Sequence, residues 1–87
     1  MKTTIRRSIV KTCPFVGEED RGELTIVFAG EAPELHRLAD LVGALDENPI
    51  SHEDFTTDVR DLFDENANII VSSTWRTAGW TVEVVCE

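Results

Sequence analysis

Lysine is scarce in this chain. Of eight basic residues only Lys2 and Lys11 are lysines, against seventeen acidic residues, so the formal net charge is 8 − 17 = −9. A surface that acidic repels nucleic-acid phosphates and anionic membranes, which attract basic patches. It suits a small-molecule substrate or a basic partner, and it is compatible with a salt-rich cytoplasm. Long apolar runs are also missing: no stretch approaches the roughly 18 apolar residues of a membrane span. Met1-Lys2-Thr3-Thr4-Ile5-Arg6-Arg7 has no apolar segment after its charges of the kind a secretion signal carries. The expectation is a cytoplasmic chain with no membrane partner. Its two cysteines, Cys13 and Cys86, would then stay reduced.

Metal-site spacings are absent as well. Two Cys and two His are scattered, with no C-x-x-C and no H-x-x-x-H, so no metal is expected. Neither G-x-G-x-x-G nor a P-loop lysine motif occurs.

What is present is a short globular sequence of 87 residues, 41 % apolar. One domain, 1–87, accounts for that length, and a chain this small buries only about 60–65 % of its unfolded surface. Oligomerisation is a common way to complete such a core. Thr3 to Val10 alternates, with Ile5 and Ile9 opposite Arg6 and Ser8, and predicts a strand. Glu23 to Ala29 predicts a second, with Leu24, Ile26 and Phe28 on one face. Leu35, Leu38, Ala39, Val42 and Leu45 then follow a helical spacing, with Pro33 in the first turn and Asp46-Glu47-Asn48-Pro49 as the stop. Ser51 reads as the N-cap of a second helix striped with Phe55, Val59, Leu62 and Phe63, with Arg60 among the residues decorating its remainder. Asn68 to Trp75 and Trp80 to Cys86 predict two more strands, joined by a turn at Arg76-Thr77-Ala78-Gly79. The order is ββααββ. A four-stranded antiparallel sheet with two helices on one face buries both helix stripes and leaves open edges, which further copies would pair.

The connection Cys13-Pro14-Phe15-Val16-Gly17-Glu18-Glu19-Asp20 is longer than the two to five residues of a tight hairpin and carries a thiol and a carboxylate seven residues apart. Cys13 has two readings, a nucleophile or a small buried hydrophobe. Asp20 is a general acid or a turn residue. His52 and Glu53 open the second helix, where a carboxylate already gains from the helix dipole but where a His-Glu pair also reaches a ligand. His36 reads as a surface residue, and Cys86 as core packing beside Trp80, Val82 and Val84.

Cys13-Pro14-Phe15-Val16-Gly17-Glu18-Glu19-Asp20 resembles the Cys-Pro-x-x-Gly-x-x-Asp segment of the 7-cyano-7-deazaguanine reductases of the QueF type and their QueF-like relatives. Ser51-His52-Glu53-Asp54 is similar to that family's His-Glu-Asp segment, and Thr74-Trp75-Arg76-Thr77-Ala78-Gly79 sits where the family has a turn between its last strands. The resemblance spans most of the chain in matching order. It implies an α+β tunnelling fold (T-fold), a homo-oligomeric ring with active sites between subunits, and chemistry on the nitrile of a 7-deazaguanine held as free base, nucleotide or within nucleic acid. By this resemblance Cys13 attacks the nitrile carbon to form a thioimidate, Asp20 donates a proton to the nitrogen, Glu53 binds the guanine-like edge, and His52 closes the pocket and relays protons.

The reductases also carry a Glu-Ser-Lys run, linked by the resemblance to NADPH, where this chain reads Glu34-Leu35-His36-Arg37-Leu38. QueF-like relatives without that run resolve the thioimidate with an amine, giving an amidine and needing no cofactor. Amine addition is therefore the first expectation and NADPH-dependent reduction the second. A ring-forming domain that binds a ligand without catalysis is the third.

Overall fold

The computed structural model describes residues 1–45 and 49–87. The elements run β1 (Thr3–Thr12), β2 (Glu19–Phe28), α1 (Leu35–Leu45), α2 (His52–Arg60), β3 (Ile69–Thr77) and β4 (Trp80–Cys86). The expected ββααββ order and α+β class are those observed. The strands form one antiparallel sheet in the order β1-β2-β3-β4. The expected helix stop at Asp46-Glu47-Asn48 lies outside the described residues.

Strand alternation decides which face is covered. Ile9 of β1, Leu24, Ile26 and Phe28 of β2, and Ile69, Val71 and Trp75 of β3 are buried with Leu38 and Val42 of α1 and Phe55 and Val59 of α2. Both helices thus cover one face of the sheet. Ser51 caps α2 as expected, its hydroxyl accepting from the Asp54 amide at 3.0 Å. No helix among the described residues is long and apolar enough to cross a membrane.

Three expectations are corrected. The connection after β1 is not long: the ladder runs on to Lys11↔Asp20 and Thr12↔Glu19, and the Cys13 amide donates to the Glu18 carbonyl at 2.7 Å. Only Pro14–Gly17 loop out, closed by a Gly17 N–H bond to the Cys13 carbonyl at 3.0 Å, with Gly17 at a positive φ of 72°. Polar residues 19–23 hid this part of β2, because paired backbone needs no apolar side chains. The turn before β4 is likewise tighter than expected. Thr77 pairs with Trp80, and Ala78 and Gly79 turn the chain at φ 52° and 83°, the left-handed pair of a two-residue hairpin.

Arg60 is not a surface residue of α2. It is buried, and its guanidinium donates to the carbonyls of Asp64, Glu65 and Ala67. Those bonds satisfy the chain just past the helix end, where carbonyls lack intrahelical partners. Leu62 and Phe63 lie beyond that end and still pack on the core, Phe63 edge-on to Phe28.

Candidate functional site

One end of the helix-covered face is polar. Lys11 and Asp20 are direct cross-strand partners on that face, 2 % and 7 % exposed. Lys11 Nζ lies 2.8 Å from Asp20 Oδ2 and 4.9 Å from the centre of the Trp75 ring. An ammonium removed from water needs such compensation, here a carboxylate and an aromatic face.

Trp75 is the platform of this end. Its ring lies across Gly22, its β2 partner. A Cβ at Gly22 would collide with the Thr74 carbonyl oxygen and come within 2.7 Å and 2.9 Å of two ring carbons. Glycine is needed there for close approach rather than for its dihedral freedom. Phe55 meets the indole edge-on, and the His52 ring stacks on it at 5.0 Å and 22°.

A directed chain of hydrogen bonds fixes that stack. Trp75 Nε1–H donates to Ser73 Oγ at 2.8 Å, and Thr56 Oγ1 donates to the His52 carbonyl at 2.8 Å. With the Thr56 hydrogen used, the 2.6 Å contact between Ser73 Oγ and Thr56 Oγ1 has Ser73 as its donor. The buried hydroxyls of Ser73 and Thr56 are thereby satisfied. Ahead of α2, Ile50 N–H bonds the Thr12 carbonyl at 3.2 Å and Pro49 bridges Thr12. These contacts bring the start of α2 to the end of β1, beside Cys13.

His52 Nε2 is 3.1 Å from Thr77 Oγ1, which donates its hydrogen to Asp20 Oδ1 at 3.4 Å. Thr77 therefore accepts from His52, which assigns the ring hydrogen to Nε2. Nδ1 is buried without a partner among the described residues. Burial lowers the His52 pKa, and the Lys11 charge lowers it further, against smaller upward pulls from Asp20 and Glu53. Burial thus favours the neutral imidazole, whose hydrogen is on Nε2 and whose lone pair is on Nδ1.

Around these groups lies a hollow of about 290 Å³ whose walls include Cys13, Asp20, His52, Glu53, Lys11 and Thr77. All four residues singled out from the sequence (Cys13, Asp20, His52 and Glu53) line it. Cys13 is half-buried and its thiol free, Asp20 is deep, and Glu53 sits at the exposed rim. Phe15 and Trp80 stand at the mouth, 86 % and 74 % exposed. A thiol, a carboxylate, an ammonium and a neutral imidazole in one small hollow can add sulfur to an electrophilic carbon and move protons to the product.

His36 is on the surface, as expected, bonded to Glu34 at 2.8 Å; Cys86 is not core packing as expected but half-buried, on a β4 face without a fully buried residue. Sequence reasoning missed Lys11, Trp75, Thr77 and Gly22. Lys11 did leave a signal, because it lies two residues beyond Ile9 and so on the face that Ile5 and Ile9 share. Thr77 left none, having been assigned to a turn.

No family model matches this chain, and no curated protein matches it either. Among solved structures it is similar to the apo form of the archaeosine synthase QueF-Like, with a TM-score of 0.86 at 19 % sequence identity, over 98 % of this chain and 90 % of that one. At that identity the likeness is one of fold, and the chain has the ββααββ tunnelling fold that its sequence resemblance implied.

Proposed function

We propose that the protein is a 7-deazaguanine-modifying enzyme that processes the nitrile of 7-cyano-7-deazaguanine through a thioimidate on Cys13, resolved by an amine to an amidine. The observation that carries this reading is the convergence of Cys13, Asp20, His52 and Glu53 on one hollow, on the fold of an archaeosine synthase. Sulfur bonds the nitrile carbon, one C≡N π bond breaks, and the nitrogen takes a proton delivered by Asp20. An amine then adds to the same carbon and the Cys13 thiol leaves, so no redox cofactor enters. A nitrile is a poor electrophile until its nitrogen gains a proton, which is why thiol and acid must flank it.

The residues at the start of α1 do not fit the phosphates of NADPH. The Glu34 carboxylate already accepts from the amides of His36 and Arg37, at 3.1 Å and 2.7 Å, and those hydrogen bonds lower its pKa. That end of the helix offers an anion an anion. This favours amine addition over reduction.

The functional assembly in this reading is a ring of copies with sites between them. It is supported by the outer edges of β4 and of β1 before Thr12, which pair with no further strand among the described residues, and by exposed Phe15, Val16 and Trp80 near the hollow. Light scattering reads the assembly state. Intact-mass spectrometry of the assembled protein with the nitrile base tests the chemistry. A covalent adduct is expected in the wild type and none in Cys13→Ala, and an assembled wild type that forms no adduct overturns the reading. Ammonia should discharge the adduct to the amidine, whereas discharge by NADPH with loss of its absorbance would favour reduction.

A further inference from the structure

The proposed reaction leaves one buried charge unused. Lys11 is one of only two lysines in the chain, and its side chain is 1 % exposed. Replacing a buried ion pair with apolar residues of the same size is often neutral or stabilising. Packing alone therefore gives no reason for a fully buried lysine two residues beyond the buried Ile9. Its carboxylate partner is already engaged at both oxygens, Oδ2 with Lys11 and Oδ1 with the Thr77 hydroxyl. A carboxylate that accepts at both oxygens has no hydrogen of its own to give. The hydrogens of this cluster are on Lys11.

We infer that Lys11 is the proton source of the site and supplies, through Asp20, the hydrogen that reaches the nitrile nitrogen. This rests on the thioimidate reading above. As the Cys13 thiolate bonds the carbon, Asp20 takes a proton from Lys11 Nζ and passes one to the nitrile nitrogen. Lys11 passes from ammonium to amine while the thiolate charge disappears, so the net charge of the hollow is unchanged. The thiol proton has left to water beforehand, and water returns one to Lys11 afterwards. Lys11 acts through Asp20 and is a positioning and proton-supplying residue. The titratable groups facing it are Cys13 from the loop, Asp20 from β2, and His52 and Glu53 from α2; β3 contributes Trp75 and Thr77, and β4 contributes Trp80 and Val82.

The test is the rate of adduct formation with the nitrile base, followed by intact mass across pH. Lys11→Arg keeps the positive charge and the carboxylate partner, but a guanidinium does not surrender its proton. The expected result is a fall of about 100-fold or more, the scale of lost general-acid catalysis. A folded Lys11→Arg protein that reacts as fast as the wild type overturns the inference and leaves the thioimidate reading standing. No adduct in the assembled wild type overturns both. A second measurement needs no variant. With only two lysines, ¹⁵N-lysine labelling resolves Lys11, and its Nζ should lose its proton over the same pH range in which the adduct rate falls on the alkaline side. An Nζ that stays protonated throughout that fall overturns the inference.

Discussion

Two hollows open on the same covered face of the sheet, and the larger one holds less chemistry. The first, about 460 Å³, lies between α1 and the β1–β2 hairpin and is walled mainly by Ile5, Leu24, Ile26, Leu35, Leu38 and Val42. Arg7 spans its rim, donating to the Ala39 carbonyl at 3.2 Å. The second, about 290 Å³, holds Lys11, Cys13, Asp20, His52 and Glu53. The apolar one is a consequence of packing: α1 buries only Leu38 and Val42, so space remains beneath it. Under α2 the space is filled by Phe55, Thr56, Val59 and Arg60, and the polar cluster at its N-terminal end is held by hydrogen bonds at fixed distances. Volume marks where helices sit loosely. A dense set of paired charges marks where chemistry is possible.

The sharpest way to break this contrast is at the ion pair. Asp20→Leu leaves the Lys11 ammonium buried without its partner and should cost about 3–5 kcal/mol in urea denaturation. The double replacement Lys11→Met/Asp20→Leu should recover most of that loss while remaining unable to form the adduct at the wild-type rate. A double variant as unstable as Asp20→Leu would mean that the pair holds the fold together.

Gly22→Val comes next. The new side chain collides with Trp75 and the Thr74 carbonyl, and displacing the indole should cost about 2–3 kcal/mol, the scale of an overpacked core. It should also slow the adduct, because His52 loses the surface on which it stacks. Unchanged tryptophan fluorescence and melting would refute the close approach.

A smaller effect belongs to His52, whose folded-state pKa is depressed, chiefly by burial. Below the ordinary value near 6.5 the unfolded chain binds a proton that the folded protein resists. The contribution of His52 is therefore fully present above that value and is lost as pH falls through the depressed folded-state pKa. Stability measured between pH 7.5 and 5.5 should fall more steeply in wild type than in His52→Gln. Parallel curves would contradict the depressed value.

The smallest effect is expected in the apolar hollow. Ala39→Leu adds side chain to its wall and should change stability by about 1 kcal/mol at most, with gain favoured where the space accepts it. The adduct rate should stay within about twofold of wild type, well inside the 10²-fold range of an acid–base residue. A large loss of rate would give the apolar hollow a part in the chemistry.

Much of this was legible in the residues. Period-2 runs named the inward faces of β1, β2 and β3, the 3.6 period named Leu38 and Val42, and Ser51 with a polar first turn named the start of α2; the face read for β4 is only half-covered, with Trp80 exposed. The polar half of β2 was not legible, because Glu19-Asp20-Arg21-Gly22 carries no apolar alternation and its strand state comes from backbone pairing with β1. Arg60 was hidden for a related reason: its burial depends on carbonyls of a turn that sequence spacing does not locate.

The sequence by itself determined the element order, the covered face, and a thiol and a carboxylate seven residues apart between the first two strands, because these follow from local periodicity and residue chemistry. The tertiary structure decided that Asp20 lies opposite Lys11 and that Trp75 lies flat on Gly22 beneath His52. Cross-strand register and the closing of a four-residue loop set those partnerships, and neither is a property of any one segment.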